Sequence, residues 1–310
     1  MPEISIVSPV YKGGATLAEF IRQTLEILRK TDRSFELILV DDGCPHDSWW
    51  VVSESCARDV EVKGIRLSRN YGQQIAASAG LRFAKGEKII VLDSDLQNPI
   101  EAIPSVIEQL DNGMDIVYTI SRVRNNWIDD ATSSIFWFVM RRMLGVQIVP
   151  NQLMMKGFSR KFLTVFNGYR ETVRVVAGIA HDIGMRSATL EVSNQRSRRR
   201  VGNHTLLQRL NLSIDTIISL SSRPLNAIIY IGLFAGLGSF FIGVRTVITF
   251  LGSQNAVPGY ASLLITVIFL GSVNLFVLGV LGRYLTNIYS EVRERPLFNV
   301  STTSGFDDVE

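Results

Sequence analysis

Apolar and polar positions in the first 120 residues alternate between two rhythms. A run of buried-strand character, Ile4 to Val10, gives way to Leu17, Phe20, Ile21, Leu25 and Leu28 at helical spacing. A second run, Leu37 to Val40, ends in Asp41-Asp42-Gly43. The pattern then predicts a strand at Gly64 to Leu67, a helix across Ile75 to Phe83, a strand at Lys88 to Leu92, a helix from Ile100 to Leu110 and a strand at Asp115 to Ile120. Strands alternating with helices in this way predict an α/β domain with a doubly wound, mostly parallel sheet. Such sheets bind ligands beyond the carboxyl ends of their strands, and Tyr11, Asp41, Asp42, Asp93 and Asp95 all fall there.

Farther along, the pattern loses its polar half. Leu225 to Val244 is 20 residues without a charge and Tyr260 to Gly282 is 23 more, each long enough to cross a hydrocarbon core about 30 Å thick. Both are expected to be transmembrane helices. Arg209 and Arg223 precede the first span, Arg283, Arg293 and Arg295 follow the second, and the connection Gly252 to Gly259 is uncharged. Basic flanks stay cytosolic, so both termini are expected there. Arg245, near the outer end of the first span, can snorkel to headgroups or pair in an oligomer.

Two further segments suit a membrane surface, although core-facing amphipathicity fits them too. Residues 127–144 mix Trp127, Ile128, Phe136, Trp137 and Phe138 with Arg141 and Arg142, and Leu206, Leu207, Leu210, Ile214, Ile217 and Ile218 repeat at helical spacing. The expected division is a cytosolic domain at 1–205, a juxtamembrane amphipathic helix at 206–223, a two-helix transmembrane hairpin at 224–287 and a cytosolic tail at 288–310.

Composition agrees with a membrane-bound domain. A chain of 310 residues that is 46% hydrophobic, with a mean hydropathy of +0.20, is too apolar for an ordinary soluble enzyme. The N-terminus leads straight into a strand, so no signal peptide is expected. Cys44 and Cys56 are too few for a disulfide framework or a zinc site, and a net charge of +3 does not argue for nucleic acid.

The most informative stretch is Ile89-Ile90-Val91-Leu92-Asp93-Ser94-Asp95-Leu96-Gln97-Asn98-Pro99. Side chains at i and i+2 of an extended segment point the same way, so Asp93 and Asp95 can converge on one hard divalent cation, with the Gln97 amide oxygen next in line. A cation held there can hold a diphosphate. The same residues also suit a solvated turn capping the helix that Pro99 opens. No Gly-rich phosphate loop follows the first strand, where Val10-Tyr11-Lys12-Gly13-Gly14-Ala15 stands, and this favours metal for neutralising a diphosphate. Tyr11 could stack on a base and Asp41 accept from a base N–H, or the two could be a rim aromatic and a turn carboxylate. Four arginines crowd Arg196-Ser197-Arg198-Arg199-Arg200, and guanidinium forks suit phosphate oxygens as well as a solvated face.

Taken together, these residues resemble the inverting family 2 glycosyltransferases, and within them the polyprenyl-phosphate sugar transferases related to dolichyl-phosphate mannose synthase and bacterial undecaprenyl-phosphate glucosyltransferases. The resemblance runs through Ser5-Ile6-Val7-Ser8-Pro9-Val10-Tyr11, Val40-Asp41-Asp42-Gly43, Asn70-Tyr71-Gly72-Gln73-Gln74 with Ala79-Gly80-Leu81, and Asp93 to Pro99. It continues through Glu171, Arg196, Arg199 and Gly202 to Ser221-Ser222-Arg223-Pro224-Leu225. It implies a GT-A fold, with Pro9, Tyr11 and Asp41 around the base of a nucleotide sugar and Asp93, Asp95 and Gln97 around Mg2+ or Mn2+ and the diphosphate. It also implies Arg196 and Arg199 on the phosphate of a polyprenyl phosphate acceptor, inversion at the sugar carbon, and a multi-pass protein of the inner (cytoplasmic) membrane, tetrameric like its relatives. Glu171 could order the acceptor loop or be a plain helix-surface residue.

The chain departs from the family pattern in places. Lys12-Gly13 replaces the usual Asn-Glu, Asn151-Gln152-Leu153-Met154 stands where the family has an Asp-Phe-Arg-Leu motif, and Gly202-Asn203-His204-Thr205-Leu206 replaces a Ser-Lys-Tyr motif, with His204 either a substitute donor or a structural residue. An acceptor phosphate is mostly ionised near neutral pH, so a missing mid-chain Asp matters less than it would for a hydroxyl acceptor that needs a general base. Three other readings are open. A processive polysaccharide synthase would carry Gln-x-x-Arg-Trp, but Gln195-Arg196-Ser197-Arg198-Arg199 lacks the Trp. A catalytically weak nucleotide-sugar-binding membrane subunit would not need the intact Asp93, Asp95 and Gln97. A transporter could not enclose a pathway with two spans unless it oligomerised. The identity of the sugar is not legible.

Overall fold

The computed structural model describes residues 1–96, 99–121, 152–169, 179, 183–192, single helical positions between 230 and 248, and 259–306. The described residues fall into two compact units, one holding the sheet with the chain from Pro296 onward and the other holding the long apolar helix.

The sheet has eight strands, ordered β7-β5-β6-β4-β1-β2-β3-β8. At its centre is β1 (Ile4–Val10), every residue of which is buried, as expected of a strand covered on both faces. Parallel to it run β2 (Phe35–Asp41), with Val10 opposite Asp41, and β4 (Lys88–Val91), with Val7 opposite Val91. β3 (Val62–Leu67) continues the parallel set beyond β2. β6 (Gln152–Ser159) runs antiparallel to both β4 and β5 (Ile116–Ser121), and β7 (Ser187–Val192) pairs parallel with β5. β8 (Val300–Ser304) closes the other edge, antiparallel to β3. The sheet is thus mixed, its parallel centre flanked by two reversed strands.

Alternation along the strands divides the apolar side chains between two layers. Ile4, Ile6, Leu37 and Leu39 face α1 (Gly14–Arg29), α2 (Ser48–Arg58) and α4 (Ile103–Asp111), which contribute Leu17, Phe20, Val52, Val106 and Leu110. Val7, Ile38, Val40 and Ile65 face α3 (Gln73–Phe83) and α5 (Arg160–Gly168), with Ala76, Ala79, Phe162 and Phe166. Phe162 stacks on Phe158 at 4.8 Å between centroids, a contact worth about 0.5–1.5 kcal/mol beyond its burial.

Several boundaries differ from the sequence expectation. β4 ends at Val91, so Leu92 lies beyond it. The helix expected from Ile100 opens as a 3-10 turn, Ile100–Ala102, and becomes α-helical only at Ile103, next to Pro104 in its first turn. β6, β7, β8, α2 and α5 had no counterpart in the pattern reading.

In the second unit, α6 (Tyr260–Val292) is 33 residues long. Among the described residues one helix is long and apolar enough to cross a membrane, Phe269–Val292, none of which is buried. The first expected span, 225–244, lies mostly outside the described residues, as do the segments 127–144 and 206–223. At single described positions there, Tyr230, Phe234, Leu237, Phe241 and Val244 are helical and exposed.

Candidate active site

β2 and β3 lie to one side of β1 and β4 to the other, so the chain reverses its direction of winding between β1 and β4. Adjacent loops part at such a point, leaving a crevice beyond the strand ends. A cleft of about 330 Å³ opens there. Pro9, Val10 and Tyr11 enter it from the end of β1, Asp42 from β2, and Asn70, Gly72 and Gln73 from the β3–α3 loop. Asp93, Ser94 and Asp95 enter from the segment that follows β4.

The two acids of the Asp-Ser-Asp sequence do share this cleft, but by a different route from the one the sequence suggested. Because β4 ends at Val91, the pleat does not align them: Ser94 and Asp95 lie in a turn, and Leu96 follows with φ +59. The buried Ser94 hydroxyl donates to the Pro9 carbonyl oxygen at 3.2 Å and ties this turn to β1. Gln73 donates its amide N–H to the Asp93 carboxylate. Burial, and then the negative charge of Asp95, push the Asp93 carboxyl up to about 6, against the opposing effects of the Gln73 bond and the Lys156 charge. Lys156, opposite Val91 on β6, has its own pKa lowered by burial.

Asp93 and Asp95 therefore repel each other in a partly dry site, the electrostatic condition that a divalent cation relieves, and their donor set of hard oxygens fits Mg2+ or Mn2+. Among the described residues no cluster of three or more His, Cys, Asp and Glu side chains could hold a metal. Gln97, the expected third ligand, lies outside the described residues.

The adjacent acids at the end of β2 have separate environments. Asp42 lines the cleft wall and accepts the backbone N–H groups of Tyr71 at 2.7 Å and Gly72 at 2.8 Å. Gly43 lets the loops approach this closely: its φ is +59, and a Cβ there would stand 2.3 Å from the Arg69 carbonyl carbon. Asp41 is fully buried and is not among the residues that line the cleft. One of its oxygens accepts from the Cys44 N–H at 3.3 Å, and the other forms a 3.4 Å ion pair with Arg66 rather than a hydrogen bond. Burial raises its carboxyl to about 6. Tyr11 sits at the rim, 45% exposed, with the Lys12 ammonium 5.3 Å from its ring centroid.

The structure thus gathers Pro9, Tyr11, Asp93 and Asp95 in one cleft and puts Asp41 beneath its neighbour. Arg196, Arg199, Glu171 and His204 lie outside the described residues. The sequence reading gave no role to Asp42, Gln73 or Lys156. Lys156 had left a signal, a lone cation inside the apolar run Leu153-Met154-Met155-Lys156-Gly157-Phe158.

The model of glycosyl transferase family 2 matches residues 5–166. The chain is 32% identical over 307 residues to a Synechocystis sp. protein described as an uncharacterized glycosyltransferase, covering 98% of this chain and 96% of that one. It is 31% identical over 304 residues to the undecaprenyl-phosphate 4-deoxy-4-formamido-L-arabinose transferase of Shewanella sediminis, covering 96% and 91%. Among solved structures, glucosyl-3-phosphoglycerate synthase from Mycobacterium tuberculosis with phosphoglyceric acid matches with a TM-score of 0.51 at 20% identity, over 72% of this chain and 80% of that one. The same enzyme with Mn2+ and UDP-glucose gives 0.50, again at 20% identity, over 72% and 79%. At that identity the likeness speaks to the fold alone. Sheet order, cleft and matched sequence agree: the chain belongs to glycosyl transferase family 2, and its fold is that of the GT-A glycosyltransferases.

Proposed function

We propose that the chain transfers one sugar from a nucleoside diphosphate, of UDP or GDP type, to polyprenyl phosphate at the membrane, with inversion at the sugar carbon, for modification of cell-envelope glycans. The observation that carries this reading is the pairing of Asp93 with Asp95 in the cleft at the reversal of the sheet. In the proposed reaction a phosphate oxygen of the lipid forms a bond to the anomeric carbon as the bond from that carbon to the nucleoside diphosphate breaks.

Each group has a task in this scheme. Tyr11 stacks on the base at the rim, with Pro9 beside it; Asp41, fully buried and outside the cleft lining, has no direct contact with the base in this scheme. Asp93 and Asp95, with Gln97, hold Mg2+ or Mn2+, which when bound stabilises negative charge on the diphosphate as a Lewis acid. Gln73 and the Lys156 charge keep Asp93 oriented. Arg196 and Arg199 grip the acceptor phosphate opposite the leaving group. That phosphate is largely ionised near neutral pH, so positioning matters more than proton removal. The relative in Shewanella sediminis, named for transfer to undecaprenyl phosphate, supports a lipid acceptor.

α6 supports membrane attachment. Its uncharged portion, Tyr260 to Gly282, spans about 35 Å at 1.5 Å per residue, enough for a hydrocarbon core of about 30 Å. Arg283 follows at the proposed cytosolic boundary.

The test is product analysis with the full chain, undecaprenyl phosphate, Mn2+ and a panel of UDP- and GDP-sugars. One donor should yield a lipid heavier by a single glycosyl unit together with free nucleoside diphosphate, and Asp95→Ala should cut turnover by about 100-fold or more. Donor consumption with no glycosylated lipid would reject the acceptor. An Asp95→Ala variant with near-parental turnover would reject the metal assignment.

A further inference from the structure

β8 borders the sheet at β3, yet it comes from the last residues of the chain, after α6. Its pairing runs from Gly64 opposite Ser304 to Leu67 opposite Val300. Beyond the strand, Phe306 meets Phe83 edge-on at 5.5 Å, and the Lys63 ammonium lies 5.5 Å from the Phe306 ring. Between strand and ring, Gly305 turns with φ +75, and a Cβ there would stand 2.6 Å from the Val62 carbonyl oxygen. Only glycine makes that turn without displacing β3. Phe298 packs against the same apolar cluster as Tyr71 and Phe83.

From this docked segment, contacts lead to the cleft. The Asn299 carbonyl oxygen accepts the Ser68 N–H at 2.9 Å. The Ser68 hydroxyl is 3.1 Å from the Tyr71 hydroxyl. Arg69 lies over the Tyr71 ring at 4.5 Å. The register shifts at this point: Thr302 faces Arg66 and Val300 faces Leu67, leaving Ser301 as an extra residue. Such a bulge bends a strand and re-aims its neighbours. On its other side the loop is held by Asp42 through the Tyr71 and Gly72 N–H groups. The loop gripped between these two supports supplies Asn70, Gly72 and Gln73 to the cleft wall.

We infer that the tail from Pro296 to Phe306 is a positioning segment for the sugar donor: docked on β3, it fixes residues 68–73 in the form that completes the nucleotide-sugar cleft. The inference rests on the cleft being the donor site. The tail is absent from the cleft lining, so it acts through Ser68 and Tyr71. Ordering the loop in advance removes a cost that the donor would otherwise bear on binding.

Gly305→Val in the full chain undocks the tail without altering a cleft residue, and Phe306→Ala weakens the same anchor if the first variant does not accumulate. Hydrogen exchange at the amides of 68–73 should accelerate. The apparent KM for the nucleotide sugar should rise about five- to tenfold, as for a loop ordered only on binding. kcat and the KM for polyprenyl phosphate should stay within about twofold. Freed amides at Val300–Ser304 with unchanged protection at 68–73 and an unchanged donor KM would overturn the inference. So would a fall in kcat alone. Exchange reads the coupling without turnover, so a lack of lipid product in parent and variants alike would reject the transfer reaction while the exchange data still decide the coupling.

Discussion

Asp41 and Asp42 are adjacent at the end of β2 but differ in what surrounds their carboxylates. Asp42 spends its oxygens on two loop amides, whereas Asp41 has one weak hydrogen bond, one long ion pair and no solvent. Burial therefore raises the Asp41 pKa from 3.8 to about 6. The folded chain holds this proton more tightly than the unfolded one, so stability is fullest below the unfolded value and is lost as pH rises through about 6. Asp41→Asn should thus stabilise the full chain at about pH 8 by on the order of 2 kcal/mol and have little effect at about pH 4. Melting temperatures at the two pH values check this, and an equal shift at both would show that titration is not the cause. The sequence made the acids at the strand ends legible because charge after a buried run is locally conspicuous. It could not separate Asp41 from Asp42, since which of two adjacent side chains meets the cleft depends on how the following loop packs. Gln73 and Lys156 were obscure for a similar reason, as each reaches Asp93 from a different element.

α3 shows how closely a helix can lie on this sheet. Gly80 faces β1 and β2, where a Cβ would come within 2.4 Å of a Val7 methyl and 2.9 Å of a Val40 methyl. Alanine favours a helix over glycine by about 1 kcal/mol, but wedging α3 from the buried strands costs about 1–3 kcal/mol. Gly80→Ala should therefore be destabilising, read as a lower urea midpoint with an unchanged slope, and a higher midpoint would mean that α3 lifts away freely. The strands beneath it were easy to read. β1, β2 and β4 are apolar on both faces and announce themselves in sequence, whereas β7 alternates weakly and β8 reads Val-Ser-Thr-Thr-Ser, with no large apolar side chain except its exposed valine. Edge strands of that kind are fixed by the partner they pair with, and no local pattern reports it. α4 was found but misplaced at its start, because Pro104 in its first turn marks the point where regular helix begins.

For the whole chain, length and charge alone raised the expectation of two membrane spans, of which the described residues show one helix long and apolar enough, Phe269–Val292, while the return of the residues after it to the sheet left no sign in the sequence. The proposed topology places residues 252–259 outside the cell and both termini in the cytosol. A tag inserted at Gln254 should react with an impermeant reagent on intact cells, and reaction only after lysis would reverse the assignment. β3 lies near the beginning of the chain and its partner β8 near the end. During synthesis the outer edge of β3 therefore waits for some 230 residues to be made, about 10–50 s at ordinary translation rates. Over that interval the ribosome carries a half-finished sheet whose open border invites pairing with other nascent chains, and in the proposed topology α6 must enter the membrane before the border can be sealed. A stop codon anywhere in the closing residues would then leave not a shortened enzyme but an unsealed one, prone to aggregate before it ever meets a substrate.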